Sequence, residues 1–359
     1  MPLPPVKKNL KDLTSEGLVT LVKRLGQSPY RAGQLYRWLF KKGALSIGAL
    51  TDVSKEFRDI LEAGGYYIGC PRLVERRASI DGTVKLLFSL EDGEKIESVL
   101  IPGEKRLTLC VSTQTGCALG CRFCVTGRLG PGRNLTLSEL AGQVHGADTV
   151  VREGFIRGRE RITNVVLMGM GEPLLNYDGV LKFIGVLTDP KGMNFSSRKV
   201  TVSTAGIPPG IERLGKEAKV NLAVSLNATT DSQRRLLMPV NKKYPLKELI
   251  ASLRRYPLEH GRYITIEYVL IKDVNDSIED AWRLAALLSG IPCKINLIPF
   301  NPLPGSRFER PEVEKVETFK RVLAGARYNV LIRISRGSDI EAACGQLRAG
   351  ALGKSNKNA

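Results

Sequence analysis

Residues 107–124 read LTLCVSTQTGCALGCRFC, a short apolar run followed by three cysteines within eight residues. LTLCVS is the first of six apolar runs, and amphipathic segments such as LTLSELAGQVHGADTVV and IEDAWRLAALLSG lie between them. The other runs are NVVLMGM, KVTVST, NLAVSL, YITIEYVL and KINLIPF. Strands that alternate with helices are typical of a parallel sheet, and six units are too few to close an eight-stranded barrel. The pattern therefore predicts an α/β fold, a partial (β/α)6 barrel, with functional groups at the carboxyl ends of its strands.

Two different patterns precede this region. Residues 14–63 contain three segments with apolar residues at helical spacing, SEGLVTLVKRL, PYRAGQLYRWLFKKG and SKEFRDILEAGG. Asp81-Gly82 and Asp92-Gly93 then separate the β-rich runs LVERRASI, TVKLLFSL and EKIESVLI, which predicts two hairpins. We expect four parts: a small helical domain at 1–69, a β-hairpin connector at 70–105, the barrel at 106–348 and a polar tail at 349–359.

The composition restricts the compartment and the partners of the chain. Lys and Arg outnumber Asp and Glu by 54 to 36, and a formal charge of +18 favours a polyanion, either nucleic acid or an acidic membrane surface. No segment is apolar over the length of a membrane span, and the N-terminus lacks the apolar stretch of a signal peptide. Seven unevenly spaced cysteines do not suit a secreted disulfide framework. We expect a cytoplasmic protein with no membrane partner.

The three cysteines Cys117, Cys121 and Cys124 indicate a metal centre. Three thiolates at this spacing can hold three irons of one [4Fe-4S] cube and leave the fourth iron open to a substrate. The alternative is a structural zinc site completed by Cys110, but such sites normally take their ligands as two closely spaced pairs. Cys110 instead lies inside the apolar run LTLCVS, so the spacing favours the iron–sulfur cluster.

Gly171 and Glu172 follow the strand-like run NVVLMGM. A glycine there lets the backbone approach a ligand, and the carboxylate can accept hydrogen bonds from an ammonium group. A glutamate after a glycine turn can equally cap a helix. The residues alone leave both interpretations open.

The CxxxCxxC motif after a first barrel strand resembles the radical S-adenosylmethionine (SAM) superfamily. Further segments resemble one of its subfamilies, the RlmN/Cfr group of RNA adenine methyltransferases. They are MGMGEPLLN at 168–176, VTVSTAGIP at 200–208, the stretch from RLLMPVNKKYPL to IEYVL at 235–270, CKINLIPFNP at 293–302 and GSDIEAACGQL at 337–347. The N-terminal YRAGQLYRWLF fits the same group, so the resemblance covers nearly the whole chain. It implies a radical SAM barrel, one [4Fe-4S] cluster, SAM as cosubstrate and a helix-hairpin-helix-like RNA-binding domain.

By resemblance, SAM is bound by residues at the ends of several barrel strands. They are Gly171, Glu172, Ser203, Ser225, Leu226, Asn227 and Asn301. Serine and asparagine offer small hydrogen-bonding groups suited to ribose hydroxyls and adenine edges, although each alone could be a turn or cap residue. Many relatives have histidine where this chain has Asn227.

Carbons 2 and 8 of adenine bear no nucleophilic lone pair, so polar attack on the methyl group of SAM is difficult. A radical route needs a thiolate that first carries the methyl group, and a base that later removes the ring proton. The resemblance implies that Cys344 is the carrier, that Cys110 resolves the enzyme–RNA thioether by forming a disulfide, and that Glu97 is the base. From the residues alone, Cys110 could be a buried strand cysteine and Glu97 a solvated carboxylate. Cys70 and Cys293 match no role and are interpreted as packing residues.

The implied cycle uses two SAM molecules per turnover. The first methylates Cys344, and the second yields a 5′-deoxyadenosyl radical that takes hydrogen from the S-methyl group. The methylene radical adds to adenine, Glu97 takes the ring proton, and Cys110 attacks sulfur to release methyladenosine. The cycle also needs a reductant for the cluster, such as a flavodoxin-like protein, and a thiol reductant that reopens the disulfide.

The implied substrates are RNA. The predicted N-terminal helices carry basic residues that can bind phosphates, namely Lys23, Arg24, Arg31, Arg37, Lys41 and Lys42. The resemblance, closer to RlmN than to Cfr, implies methylation of adenine carbon 2 in 23S ribosomal RNA, in its peptidyl-transferase region, and in tRNA 3′ of the anticodon. The target base must be exposed from its stack. Two alternatives remain: the same chemistry at carbon 8, as in Cfr, and a non-catalytic RNA-binding module stabilised by a metal.

Overall fold

The structure, a computed structural model, describes residues 7–303 and 305–347. The polar tail predicted at 349–359 lies outside these residues. The strands of the described part are β1 (Lys8–Asn9), β2 (Tyr66–Tyr67), β3 (Arg72–Ala78), β4 (Val84–Ser89), β5 (Lys95–Pro102), β6 (Leu107–Cys110), β7 (Asn164–Leu167), β8 (Val200–Thr204), β9 (Asn221–Ser225), β10 (Ile264–Leu270), β11 (Cys293–Pro299) and β12 (Asn329–Ile332).

Ten of these strands form one continuous sheet. Its spatial order runs from β12 through each preceding strand to β3, while β1 and β2 make a separate parallel pair. Strands β6 to β12 are parallel to one another. Each of β3, β4 and β5 runs antiparallel to its neighbour in the sheet, and β5 pairs with β6 in the same antiparallel way. The predicted α/β fold is confirmed, and all six predicted barrel strands are present as β6 to β11.

The structure adds one parallel strand that the sequence did not predict. β12 pairs with β11 from Lys294 opposite Asn329 to Leu297 opposite Ile332. Its sequence NVLI has only four residues, and Asn329 and Leu331 are exposed, so β12 is a short edge strand with one face not covered. Because β12 ends beside the other parallel strands, the segment after it reaches the carboxyl end of the sheet.

Helices follow most strands of the parallel region and cover its outer face. The helices of the described part are α1 (Ser15–Arg24), α2 (Tyr30–Tyr36), α3 (Lys55–Ala63), α4 (Val125–Leu129), α5 (Leu137–Arg152), α6 (Tyr177–Thr188), α7 (Pro208–Glu217), α8 (Asp231–Leu237), α9 (Leu246–Arg255), α10 (Ile278–Leu287) and α11 (Val313–Gly325). No helix among the described residues is long and apolar enough to cross a membrane.

The three predicted N-terminal helices are present as α1, α2 and α3. Thr14 caps α1 by accepting from the backbone N–H of Gly17, and Ser54 caps α3 by accepting from Phe57. The buried residues of α1 are Leu18, Leu21 and Val22, at the spacing of one helix face. Helix formation here therefore follows from local capping and from an apolar stripe that packs inward.

Helix α5 lies between β6 and β7 in the chain and contacts both β5 and the residues after β6. It begins with a capping box in which Thr136 accepts from the backbone of Glu139 and the Glu139 carboxylate accepts from the backbone of Thr136. Gln143 accepts from the Ser98 hydroxyl at 2.7 Å and from the Ser112 backbone N–H at 2.8 Å. All three residues are buried, so this amide positions β5 relative to the chain leaving β6.

Close packing of α5 on β4 requires glycine at position 146. A Cβ atom at Gly146 would lie 2.5 Å from Cε1 of Phe88, which is fully buried. Gly185 lies in α6 with no atom within 4 Å of such a Cβ. Both glycines lie inside helices, but only the Cβ at Gly146 would meet another residue.

We predict opposite effects of alanine at these two positions. Gly146→Ala should lower the free energy of unfolding by about 1–3 kcal/mol, because overpacking against Phe88 outweighs the better helix propensity of alanine. Gly185→Ala should raise it by up to about 1 kcal/mol. Thermal unfolding followed by circular dichroism measures both, and a Gly146→Ala protein as stable as wild type would contradict the packing described.

Candidate active site

A cavity of about 170 Å³ opens at the carboxyl ends of the parallel strands. Its wall combines the loop after β6, the ends of β7 to β11 and the segment after β12. Nine residues predicted for the site line it, namely Cys117, Cys121, Cys124, Gly171, Glu172, Ser203, Ser225, Asn301 and Cys344. Residues more than two hundred positions apart in the sequence therefore meet in one cavity.

The loop after β6 brings its three thiols to this cavity through a tight backbone path. Cys117 donates its N–H to the Gly130 carbonyl at 2.8 Å, and Cys124 donates to the Cys121 carbonyl at 3.2 Å. A Cβ at Gly127 would lie 2.8 Å from the backbone nitrogen of Cys121, so only glycine allows this close approach.

The three thiols suit a [4Fe-4S] cluster, because Cys117, Cys121 and Cys124 all line the same cavity and a cube binds each thiolate at a different iron. Among the described residues, no group of three His, Cys, Asp or Glu side chains is placed to hold one metal ion. Burial raises the pKa of Cys117 to about 12 and raises those of Cys121 and Cys124. Metal binding would favour their thiolate forms.

Glu172 takes the capping role that the sequence allowed, and its side chain also lines the cavity. Its carboxylate accepts from the backbone N–H of Leu174 at 3.0 Å, which caps a short 3-10 helix, and from that of Ala205 at 2.7 Å. The same side chain lines the cavity while only 3% of the residue is exposed. Burial raises the pKa of Glu172, and the two backbone donors oppose the rise. The carboxylate is therefore held in place by the backbone at the edge of the cavity.

Leu226 and Asn227 are fully buried and do not line the cavity. The side-chain oxygen of Asn227 accepts a hydrogen bond from the Val269 N–H at 2.8 Å. The side-chain nitrogen of Asn227 contacts the sulfur of Met238 at 3.3 Å. Asn227 adopts a left-handed backbone conformation with φ 57°. In this arrangement its side chain supports the end of β10 instead of facing the cavity.

The segment after β12 places Cys344, which is exposed, in the cavity wall. The Cys344 carbonyl accepts from the side-chain amide of Asn301 at 3.3 Å. The Gly345 carbonyl accepts a hydrogen bond from the Val125 N–H at 2.7 Å, and the Leu347 carbonyl accepts one from the Thr126 hydroxyl at 2.7 Å. Hydrogen bonds to the cysteine loop and to the end of β11 thus hold the carrier predicted from sequence beside the cluster thiols.

Cys110 lies next to Cys344 but inside a small apolar cluster. It is 8% exposed and packs with Val99, Met170, Ala342 and Leu347. Burial raises the pKa of Cys110 to about 12, and the neighbouring Cys344 thiol adds to the rise. All seven cysteines are free thiols in the structure.

Glu97 is buried on β5 beside the ammonium group of Lys85. Its Oε1 lies 3.4 Å from Lys85 Nζ, and both side chains are at most 7% exposed. Lys85 also donates to the Glu341 carbonyl at 3.3 Å, three residues before Cys344. Glu97 is therefore a partnered, buried carboxylate and not the solvated one that the sequence also allowed.

Two ionisable residues of the cavity wall were missed by the sequence analysis. Glu267 lies on β10 and Arg333 directly follows β12, and both line the cavity. Glu267 could have been noticed, because it is the one acidic residue inside the apolar run YITIEYVL. Arg333 gives no such signal, because it stands among other basic residues after a strand that was itself not predicted.

Comparisons with known proteins agree with this architecture. A family model described as the radical SAM superfamily matches residues 111–285, and one described as the ribosomal RNA large subunit methyltransferase N-terminal domain matches residues 8–64. The crystal structure of a radical SAM methyltransferase from Sphaerobacter thermophilus superposes with a TM-score of 0.88 at 44% identity, covering 96% of this chain and 100% of that one.

Curated relatives match over nearly the full length. A protein of Anaeromyxobacter sp. (strain Fw109-5) named dual-specificity RNA methyltransferase RlmN is 48% identical over 349 residues, which is 97% of this chain and 92% of that protein. A protein of the same name from Geotalea uraniireducens is 47% identical over 353 residues, 98% and 99% of the two chains.

Fold, cavity and comparisons together define a radical SAM enzyme. The chain belongs to the RlmN family of radical SAM RNA methyltransferases. The family and enzyme class predicted from the sequence are thereby confirmed, and the family implies both a [4Fe-4S] cluster and SAM.

We predict that Cys121→Ala abolishes bound iron and the cleavage of SAM, because two remaining thiolates cannot retain the cube. Cys293→Ala is the matched control, since Cys293 is equally a cysteine but is buried on β11 outside the cavity wall. Iron content and the yield of 5′-deoxyadenosine after anaerobic reconstitution measure the effect. A Cys121→Ala protein with wild-type values of both would remove Cys121 from the ligand set.

Proposed function

We propose that this enzyme methylates carbon 2 of adenosine in 23S ribosomal RNA and in tRNA 3′ of the anticodon, and that the methyl group passes through Cys344. The observation that carries the proposal is the position of Cys344 in the same cavity as Cys117, Cys121 and Cys124. A methyl group on Cys344 would lie where a radical formed beside those thiols can reach it. The names of the relatives, which describe dual-specificity RNA methyltransferases, support more than one kind of RNA substrate.

When bound to Cys117, Cys121 and Cys124, the cluster supplies the electron that cleaves SAM reductively. Gly171, Glu172, Ser203, Ser225 and Asn301 line the cavity and would hold the cosubstrate beside it. We place Leu226 and Asn227 behind this wall, where they support its shape through β10. Two SAM molecules are used per turnover, one as methyl donor and one as radical source.

Cys344 first takes the methyl group by displacement at the SAM sulfonium. Loss of one hydrogen atom from the S-methyl group then gives a methylene radical that adds to the adenine carbon. The exposed thiol suits this role, since an RNA base can reach it. Its backbone is held by Asn301 and by the cysteine loop, which limits how far the sulfur can move between the two steps.

Glu97 then removes the proton from the substituted ring carbon, and the one electron that the adduct gives up would go to the cluster, which lost one electron in the cleavage of SAM. Lys85 lies 3.4 Å from the Glu97 carboxylate in a buried setting, and this contact fixes the position of the carboxylate. Cys110 finally attacks the Cys344 sulfur. The C–S bond breaks, a disulfide forms, and the methylene carbon takes a proton to complete the methyl group. A thiol reductant restores the two free cysteines.

The N-terminal domain provides a surface suited to RNA. Five of its six basic residues predicted for RNA binding are exposed, and Arg31 is half-exposed. Charged side chains of this kind contact phosphates without reading sequence. The seven free thiols support the cytoplasm, a reducing compartment, as the location of the enzyme.

The two-cysteine mechanism predicts a trapped intermediate in one variant only. Cys110→Ala should accumulate a covalent RNA adduct on Cys344, because the carrier still works but nothing attacks the sulfur. The adduct should appear as a slowly migrating, nuclease-sensitive band on a denaturing gel. Cys293→Ala should behave like wild type, and the double variant Cys110→Ala/Cys344→Ala should give no band.

Two outcomes of this experiment would decide against the mechanism. Free enzyme and free RNA only, with Cys110→Ala folded and its cluster intact, would reject a resolving role for Cys110. An adduct in the double variant would reject Cys344 as the carrier. Mass spectrometry of the released nucleoside distinguishes methylation at carbon 2 from methylation at carbon 8.

A further inference from the structure

One buried carboxylate oxygen of the cavity wall has no donor within the described protein. The Glu267 side chain is 7% exposed, and its Oε1 accepts from Asn296 Nδ2 at 3.0 Å and lies 3.8 Å from Arg333 Nη1. Its Oε2 is buried and has no hydrogen-bond partner among the described residues. Leaving a buried acceptor unpaired is unfavourable, so this oxygen indicates a place where a ligand supplies the donor.

The strand register places this oxygen beside the proposed SAM site. Glu267 on β10 pairs directly with Ser225 on β9 and with Asn296 on β11. Residues in register on neighbouring parallel strands point to the same face, about 4.8 Å apart. Ser225 and Glu267 both line the cavity, so the hydroxyl and the carboxylate stand side by side in its wall.

We propose that Glu267 forms a ribose subsite, in which Oε2 accepts a hydrogen bond from a ribose hydroxyl of the adenosyl group of SAM. This inference rests on the proposed function, which places SAM in the cavity, and adds a binding residue to it.

The chemistry of the ligand favours the ribose over its other groups. An ionised carboxylate only accepts hydrogen bonds, and the ribose offers two adjacent hydroxyl donors. The carboxylate of the methionine part would be repelled, and Glu172, which lines the same cavity, is suited to the ammonium group. Burial raises the pKa of Glu267, whereas the Arg333 guanidinium and the Asn296 amide oppose that rise. Asn296 and Arg333 both lie at Oε1, so they position the carboxylate and leave Oε2 for the ligand.

The test measures binding of S-adenosylhomocysteine, which cannot react, to the anaerobic holoenzyme. Its 2′-deoxy and 3′-deoxy analogues remove one ribose hydroxyl each. For wild type, one of the two analogues should bind about tenfold to a hundredfold more weakly, as expected for a hydrogen bond to a charged group. For Glu267→Leu, S-adenosylhomocysteine itself should bind more weakly than to wild type. Removing the ribose hydroxyl that matters for wild type should then lower the affinity less than about twofold.

A matched control and a conservative variant keep the test independent of folding. Glu309→Leu changes an exposed glutamate outside the cavity and should keep the full loss seen in wild type. Glu267→Gln preserves shape and should show a reduced loss even if Glu267→Leu does not fold. Iron content and circular dichroism establish that each variant is intact.

The failure modes are separable. A full hydroxyl-dependent loss in Glu267→Gln and Glu267→Leu, or no loss in wild type, would overturn the ribose subsite. An analogue that lacks the adenine amino group provides a further comparison. If the variants no longer lose affinity for this analogue, but still lose affinity for the ribose analogues as wild type does, then Glu267 binds the base and the proposal is wrong. A wild-type holoenzyme that binds no S-adenosylhomocysteine would instead contradict the proposed function itself.

Discussion

The hydrogen bonds that hold the segment after β12 against the barrel determine where the Cys344 thiol lies. Gly337 donates to Asp81 at 2.9 Å, and the Ser79 hydroxyl donates to Asp339 at 2.6 Å, which ties this segment to the hairpin. Val125 then binds the Gly345 carbonyl in the cysteine loop. Without these contacts Cys344 would stand on an unrestrained terminal segment. With them, a residue near the end of the chain shares a wall with a loop more than two hundred residues earlier.

Burial gives this cavity its chemical character. Its thiols and carboxylates lie within an apolar barrel, where the charged forms are poorly solvated. The raised pKa values of Cys110, Cys117 and Glu172 all have burial as their largest cause. Each ionisable group therefore depends on a specific partner, whether a backbone donor, a cation or a ligand. Glu97 has Lys85, Glu172 has two backbone N–H groups, and the cluster thiols require iron.

Much of the fold was predictable because its signals are local. Buried parallel strands read as continuous apolar runs, and the three cysteines stand within eight residues, so β6 to β11 and the cluster loop are visible in the sequence. β12 escaped because it is an edge strand of only four residues with the basic residues Arg327 and Arg333 close on either side. The fold class could thus be read from periodicity, whereas the number of parallel strands could not.

Contacts between residues on different strands were the part of the site that the sequence could not predict. Motif resemblance indicated Cys344 and the three clustered cysteines as site residues, and the cavity brings all four together. Lys85 could not be paired with Glu97 from sequence, because that contact depends on the register of β4 against β5. Glu267 and Arg333 come together only across three adjacent strands. Asn227 shows the reverse case, a motif position whose left-handed backbone turns its side chain toward β10.

The central claim is that the methyl group reaches RNA through Cys344 and not directly from SAM. The most direct measurement uses SAM with a fully deuterated methyl group and follows both products by mass spectrometry. Transfer through Cys344 predicts one deuterium in 5′-deoxyadenosine and a methyladenosine whose methyl group has two deuterium atoms and one hydrogen from water. A methyladenosine with three deuterium atoms, together with unlabelled 5′-deoxyadenosine, would contradict the account.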